Sequence, residues 1–181
     1  AIDLLKNGVY RYHLRKEKWS FDEIISWCKS IPVELQCKIS VHTIWKEIDI
    51  NLLPENIGCH ILGFETQDIN IYSKLSNRII SASFHSWPEI MEYNNALNYC
   101  FISPVFDSIS KKNYIQNKSL LNIPHSIKKN HTIFGLGGIN NTNAADCINM
   151  GYNGVVVLGY MWNNKHDKVS LLRKLHAKIN V

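Results

Sequence analysis

The feature that most restricts the fold is a regular alternation of short apolar, β-branched or aromatic runs with longer helical patterns. The runs are 9-VYRYHL-14, 38-KISVH-42, 57-IGCHI-61, 79-IISAS-83, 99-YCFIS-103, 131-HTIFGL-136 and 154-GVVVLG-159. Strands separated by helices in this way are the pattern of βα units around a parallel sheet. Several runs are nearly all apolar, as strands covered on both faces are. Helix signals fall between them. In 20-SFDE-23, Ser20 and Glu23 are spaced as a capping box, with Trp19 and Ile24 placed for a hydrophobic staple; 86-SWPE-89 repeats the box with Pro88 in the first turn. Further helices are expected after 140-NNTN-143 and from about Ser170 to Ile179. The opening 1-AIDLLKNG-8 reads as the end of a helix with Gly8 as its C-cap and no strand before it. The expected architecture is therefore α/β, a (β/α)8 TIM barrel lacking its first strand in the chain as given. An N-terminal truncation is preferred to an open seven-stranded sheet.

A chain of 181 residues suits a single domain, residues 1–181, with a sizeable core. With 45% hydrophobic and 19% charged residues it is composed to fold rather than to stay disordered. The longest apolar run, 154-GVVVLGYMW-162, falls short of the roughly 20 residues a membrane helix needs, and the N-terminus lacks a signal-peptide layout. A cytoplasmic protein is expected, and a homo-oligomer is compatible with the sequence. The net charge is +5, but lysine and arginine are dispersed, which argues against a nucleic-acid groove and suits small phosphorylated substrates. Cys28, Cys37, Cys59, Cys100 and Cys147 are odd in number and form no CxxC pair, so they read as reduced structural thiols with no zinc site.

In barrels the reactive loops follow the C-terminal ends of the strands. The strongest strand-end signal is 135-GLGGIN-140, where adjacent glycines let backbone N–H groups approach an anion and a helix N-terminus follows. Gly159 ends the next strand and can complete the same phosphate pocket. The alternative for Gly137, Gly138 and Gly159 is tight turns alone. A dinucleotide fingerprint fails because its third glycine falls on Asn140, and no Gly-Lys-Ser/Thr of a P-loop is present. The loop 103-SPVFDSISKK-112, with its serines and lysines behind an apolar strand, is either ordinary surface or an anion holder.

The motifs 12-YHLRK-16, 83-SFHS-86, 103-SPVFDSISKK-112, 135-GLGGIN-140 and 154-GVVVLG-159, in this order and spacing, resemble the thiamine phosphate synthase/TenI family over almost the whole chain. The resemblance implies a (β/α)8 barrel that joins hydroxymethylpyrimidine diphosphate to thiazole phosphate, releasing pyrophosphate with Mg2+ assistance. It also implies roles for particular positions. Ser108 and Ser110 stand where the family's diphosphate loop has threonines, Lys111 stands in place of its lysine, and Ser83 matches a serine that also contacts diphosphate. Arg15 matches the arginine of a Gln-Leu-Arg-x-Lys strand end. Hydroxyls and cations of this kind stabilise charge on a departing pyrophosphate.

This chain departs from the pattern at three places. His13 replaces the glutamine, and Glu17 stands where the lysine would be. The Asn-Asp pair expected after the second visible strand is replaced by 42-HTIW-45, which contains no carboxylate; after the third, Glu65 is the nearest acid and Asp68 lies farther on. Glu65 is thus the one metal candidate, for a cation that prefers oxygen ligands. The alternatives are a TenI-like thiazole tautomerase, in which His42 or His85 would replace a histidine missing at 103-SP-104, and a non-catalytic thiazole-phosphate-binding regulator.

Overall fold

A computed structural model describes residues 1–43, 49–61, 75, 77–93, 96–107 and 115–179. Its contacts divide the chain into two compact units, Ala1–Ala82 with Asn95–Leu97 and Ser83–Asn94 with Asn98–Val181. All seven expected strands form, joined by helices, and within each unit every strand pairs parallel to its neighbour in sequence.

The first unit opens on helix α1 (Ile2–Lys6), ended at Asn7 and by Gly8 at φ 98° as anticipated. Strand β1 (Tyr12–Leu14) is shorter than its apolar run because the Val9 N–H is still used on α1, donating to the Leu4 carbonyl. Helix α2 (Phe21–Ser30) begins with the complete capping box: the Glu23 N–H donates to Ser20 Oγ, and the Ser20 N–H donates to Glu23 Oε2 at 2.7 Å. A short α3 (Val33–Gln36) leads into β2 (Ile39–His42), then β3 (Gly58–Ile61) and β4 (Ile80–Phe84), which carries the chain into the second unit. One face of these strands, with Leu14, Ile39 and Val41, packs on Leu5, Ile24 and Cys28 from the helices. Trp19 packs against the same cluster as Ile24, consistent with the staple.

In the second unit, α4 (Trp87–Glu92) follows the second box, whose glutamate reaches the His85 N–H and Ser86 Oγ rather than the cap residue's own N–H. Strands β5 (Tyr99–Ile102), β6 (Ile133–Leu136) and β7 (Gly154–Val156) alternate with α5 (His125–Asn130) and α6 (Ala144–Asn149). Strand β7 ends three residues early because α7 (Gly159–Trp162) begins at once, with the Met161 and Trp162 N–H groups donating to the Leu158 carbonyl. Helix α8 (Lys168–Ile179) closes the unit. Two buried aromatics have their polar ends satisfied: Trp87 Nε1–H donates to the Ser119 carbonyl at 2.9 Å and Tyr152 O–H to that of Leu120 at 2.7 Å. No helix among the described residues is long and apolar enough to cross a membrane.

One side chain secures the connection between β2 and β3. The guanidinium of Arg78 donates to the carbonyls of Ile50, Leu53, Pro54, Glu55 and Ile57, at 2.6 to 3.3 Å. An ammonium cannot reproduce that fork. Replacing Arg78 by Met is expected to cost about 2–4 kcal/mol by leaving half-buried carbonyls without donors, with Arg78→Lys recovering less than half. Urea unfolding midpoints of the three proteins test this, and equal midpoints would count against the hub.

Candidate active site

Strand alternation sends every second side chain of β1 to β4 to the face opposite the helical core. The register puts His13 beside Ser40, Ser40 beside Gly58, His42 beside His60, and His60 beside Ser81. This face is polar throughout, whereas the near-continuous apolar runs suggested strands apolar on both sides. In the deeper row, Arg11 Nη1 donates to the Ile39 carbonyl at 2.9 Å and to Ser40 Oγ at 3.3 Å. Gly58 makes that possible, since a Cβ there would lie 2.8 Å from Ser40 Oγ and 2.9 Å from the Ile79 carbonyl oxygen.

Above that row lie three imidazoles. His13 Nδ1 and His42 Nε2 are 3.3 Å apart, and the His42 and His60 ring centroids are separated by 4.3 Å. His60 is fully buried, with Nδ1 at 2.8 Å from Ser81 Oγ, which in turn donates to the Cys59 carbonyl. With the hydroxyl proton turned to that carbonyl, 3.5 Å away, Ser81 accepts from His60 Nδ1–H, and this tautomer leaves the lone pair on Nε2. Among the described residues, His42 Nδ1 is buried without a hydrogen-bond partner. Burial disfavours the charged form of all three rings. It holds His42 down at about 3, helped by the positive charge of Arg15, and it holds His13 and His60 well below the ordinary histidine range, helped by their charged neighbours.

Arg15 follows β1 and is exposed, with Nε and Nη2 both donating to Glu17 Oε1 at 3.0 and 2.7 Å. The residue standing in place of a family lysine therefore neutralises the neighbouring arginine. At the expected magnesium position, Thr43 gives both its N–H and its Oγ1–H to the His60 carbonyl, and His42 offers an imidazole. Neither of these two described side chains is a carboxylate of the kind that cation prefers. Glu65 lies outside the described residues.

In the second unit, Ser83 is half-buried near the end of β4. His85 Nδ1–H donates to the Ser103 carbonyl at 3.0 Å, which leaves Nε2 as the lone-pair nitrogen. The loop after β5 begins with a cis Ser103–Pro104 bond and is pinned to the double-glycine turn. The Val105 N–H donates to the Leu136 carbonyl and the Phe106 N–H to that of Gly137. Gly137 and Gly138 have φ of 98° and 64°, and a Cβ on Gly138 would lie 2.2 Å from the Asp107 carbonyl oxygen. The glycines thus make room for the loop backbone. Gln116 joins the described residues on either side of 108–114, its N–H donating to Asp107 Oδ1 and its Nε2 to the Val105 carbonyl. Ser108, Ser110 and Lys111 lie outside the described residues. Gly159 opens α7 directly after β7.

Sequence reasoning singled out Arg15, Ser83 and the three glycines, but missed His60, Arg11 and the histidine grouping. The available signal was parity: positions 13, 42 and 60 all fall on the same side of their strands.

Two outcomes follow. The unfolded chain protonates free imidazoles near pH 6.5, while the folded chain keeps these three neutral. Their contribution is complete above that pH and is progressively lost as pH falls below it, by about 1.4 kcal/mol per pH unit for each proton the unfolded chain gains. Urea midpoints should therefore fall between pH 7 and pH 5, and less steeply in His13→Gln; a flat profile contradicts the arrangement. Gly138→Ala should destabilise by at least about 2 kcal/mol through positive φ and backbone collision, measured in the same way.

The thiamine monophosphate synthase family (TMP-TENI) matches residues 2–160. A thiamine-phosphate synthase from Lysinibacillus sphaericus (strain C3-41) is 28% identical over 130 residues, covering 66% of this chain and 58% of that protein. The chain thus spans less than two thirds of the curated relative it matches. Among solved structures, a thiamine phosphate pyrophosphorylase from Pyrococcus furiosus superposes with a TM-score of 0.75 at 20% identity, over 97% of this chain and 85% of that one. One from Bacteroides thetaiotaomicron gives 0.69 at 23% identity, over 99% and 88%. With the family pattern running from α1 into α7, across both units, the chain belongs to the thiamine monophosphate synthase family.

Proposed function

We propose that the protein makes thiamine phosphate in the cytoplasm from two small phosphorylated substrates, and that its strands belong to a (β/α)8 barrel. A thiazole nitrogen attacks the carbon that carries the diphosphate of hydroxymethylpyrimidine diphosphate. As the C–N bond forms, the C–O bond breaks and its electron pair leaves with pyrophosphate. Arg15, Ser83, Ser108, Ser110 and Lys111 are assigned to the diphosphate, and Gly137, Gly138 and Gly159 to the thiazole phosphate. The observation that carries this reading is the docking of residues 104–107 on Leu136–Gly138, which fixes the start of the serine-lysine loop against the glycine turn. Hydroxyl and ammonium donors held there would stabilise charge on the leaving group. No step is assigned to Mg2+.

A second reading, thiazole tautomerase, is favoured by His85 alone. Its fixed tautomer presents a basic nitrogen able to move a proton.

Incubating the full chain with both substrates should yield thiamine phosphate and one equivalent of pyrophosphate, and Lys111→Ala should lower kcat/KM by roughly 100-fold. Isomerisation of thiazole carboxylate phosphate without thiamine phosphate would select the tautomerase, and binding without turnover a regulator. Glu17→Lys releases Arg15 from its ion pair. Since an exposed pair is worth up to about 1 kcal/mol, it should tighten pyrophosphate inhibition about two- to five-fold; an unchanged inhibition constant removes Arg15 from the diphosphate site.

A further inference from the structure

The histidines of β1, β2 and β3 have a property that the synthase reading does not use. One nitrogen from each of His13, His42 and His60 lies within 4.8 Å of the other two. Around a tetrahedral zinc with Zn–N bonds of about 2.0–2.1 Å, ligand nitrogens are separated by roughly 3.3 Å. The His13 Nδ1 to His42 Nε2 distance is already 3.3 Å. The remaining edges need to close by at most about 1.5 Å, within reach of small side-chain rotations about zinc-length bonds.

We propose that His13, His42 and His60 bind one borderline divalent transition-metal ion, Zn2+ in the first instance, with a fourth position open to an anionic oxygen. Three imidazoles suit zinc, copper or nickel and do not suit magnesium. The strands are paired in fixed register, so the ligands sit on rigid elements and not on loops. A second shell is at hand for His60: Ser81 Oγ lies 2.8 Å from Nδ1 and 3.5 Å from the Cys59 carbonyl oxygen, and the tautomer protonated on Nδ1 offers Nε2 as the ligand. The His13 and His42 nitrogens that face each other can share only one proton, and a metal ion takes its place. His42 and His60 are buried while His13 is partly exposed, so the fourth position opens on the His13 side. Among the described residues no carboxylate joins the group. Among the described residues, Arg11 and Arg15, both cationic, act on it. A dication on neutral ligands beside two guanidiniums calls for a negative fourth ligand, hydroxide or a phosphate oxygen.

The test uses the full chain and metal salts alone. Titration calorimetry after chelator treatment, with metal analysis of the dialysed protein, should give one Zn2+ per chain. The Co2+ adduct should show the visible absorption of a tetrahedral site. His13→Gln, at the partly exposed ligand, should keep the fold by circular dichroism and weaken Zn2+ at least about tenfold; Ser81→Ala should weaken it by about 10–100-fold through the second shell. Inorganic phosphate should bind more tightly to the zinc-loaded protein than to the metal-free one. Because His60→Ala risks the fold, X-ray absorption of the wild type is the independent readout and should show three imidazole nitrogens at about 2.0 Å. No stoichiometric binding, an octahedral Co2+ spectrum, or full affinity in His13→Gln, as surface binding through His125, His131, His166 or His176 would give, overturns the site.

Discussion

Parallel pairing in fixed register is the constraint on which the first unit depends. Because side chains alternate strictly along a strand, a slip of one residue in β2 would turn Ile39 and Val41 away from the helices and expose Ser40 and His42 to the apolar core. The buried area on Leu14, Ile24, Cys28 and Ile39 therefore holds the opposite row in position. That row is polar and closely packed, and pairs within it hold it: Arg11 with Ser40, His13 with His42, and His60 with Ser81, while Arg11 Nε and His42 Nδ1 are buried without a hydrogen-bond partner among the described residues. Buried polar groups are costly unless paired, so apolar packing on one face and hydrogen bonding on the other are joint conditions for the fold.

The second unit is organised differently. Its strand-end loop is placed by backbone contacts, with Val105 and Phe106 on Leu136 and Gly137, and by the absence of two side chains at Gly137 and Gly138. Gln116 and Asn117 tie the returning chain to Val105, Asp107 and Pro104.

Much of the fold was legible because it rests on local signals. The seven apolar runs each became a strand, Ser20 and Ser86 became N-caps, and the double glycine adopted positive φ. The ends of β1 and β7 were not legible, since they depend on whether a neighbouring helix claims the backbone donors first, as α1 does for Val9 and α7 does at Leu158. The candidate site was legible only where a residue carries its reason in its own neighbourhood. Gly137 and Gly138 announce a turn, but His60 within 57-IGCHI-61 looks like one polar interruption of a buried strand. Its meaning comes from His42 and Ser81 across the sheet, 18 and 21 positions away, which only register can reveal. The pairing of Arg15 with Glu17 was similarly hidden, because composition at a position does not say which partner a side chain takes.

His13, His42 and His60 form one preorganised neutral cluster on the polar face. Nitrogen-15 NMR of the histidine rings in the metal-free chain at pH 6 tests it most directly. The expected spectrum shows three neutral rings, with His60 carrying its proton on Nδ1 and a through-bond or exchange signature linking His13 to His42. Imidazolium signals for these residues at that pH, or a His60 proton on Nε2, would contradict it.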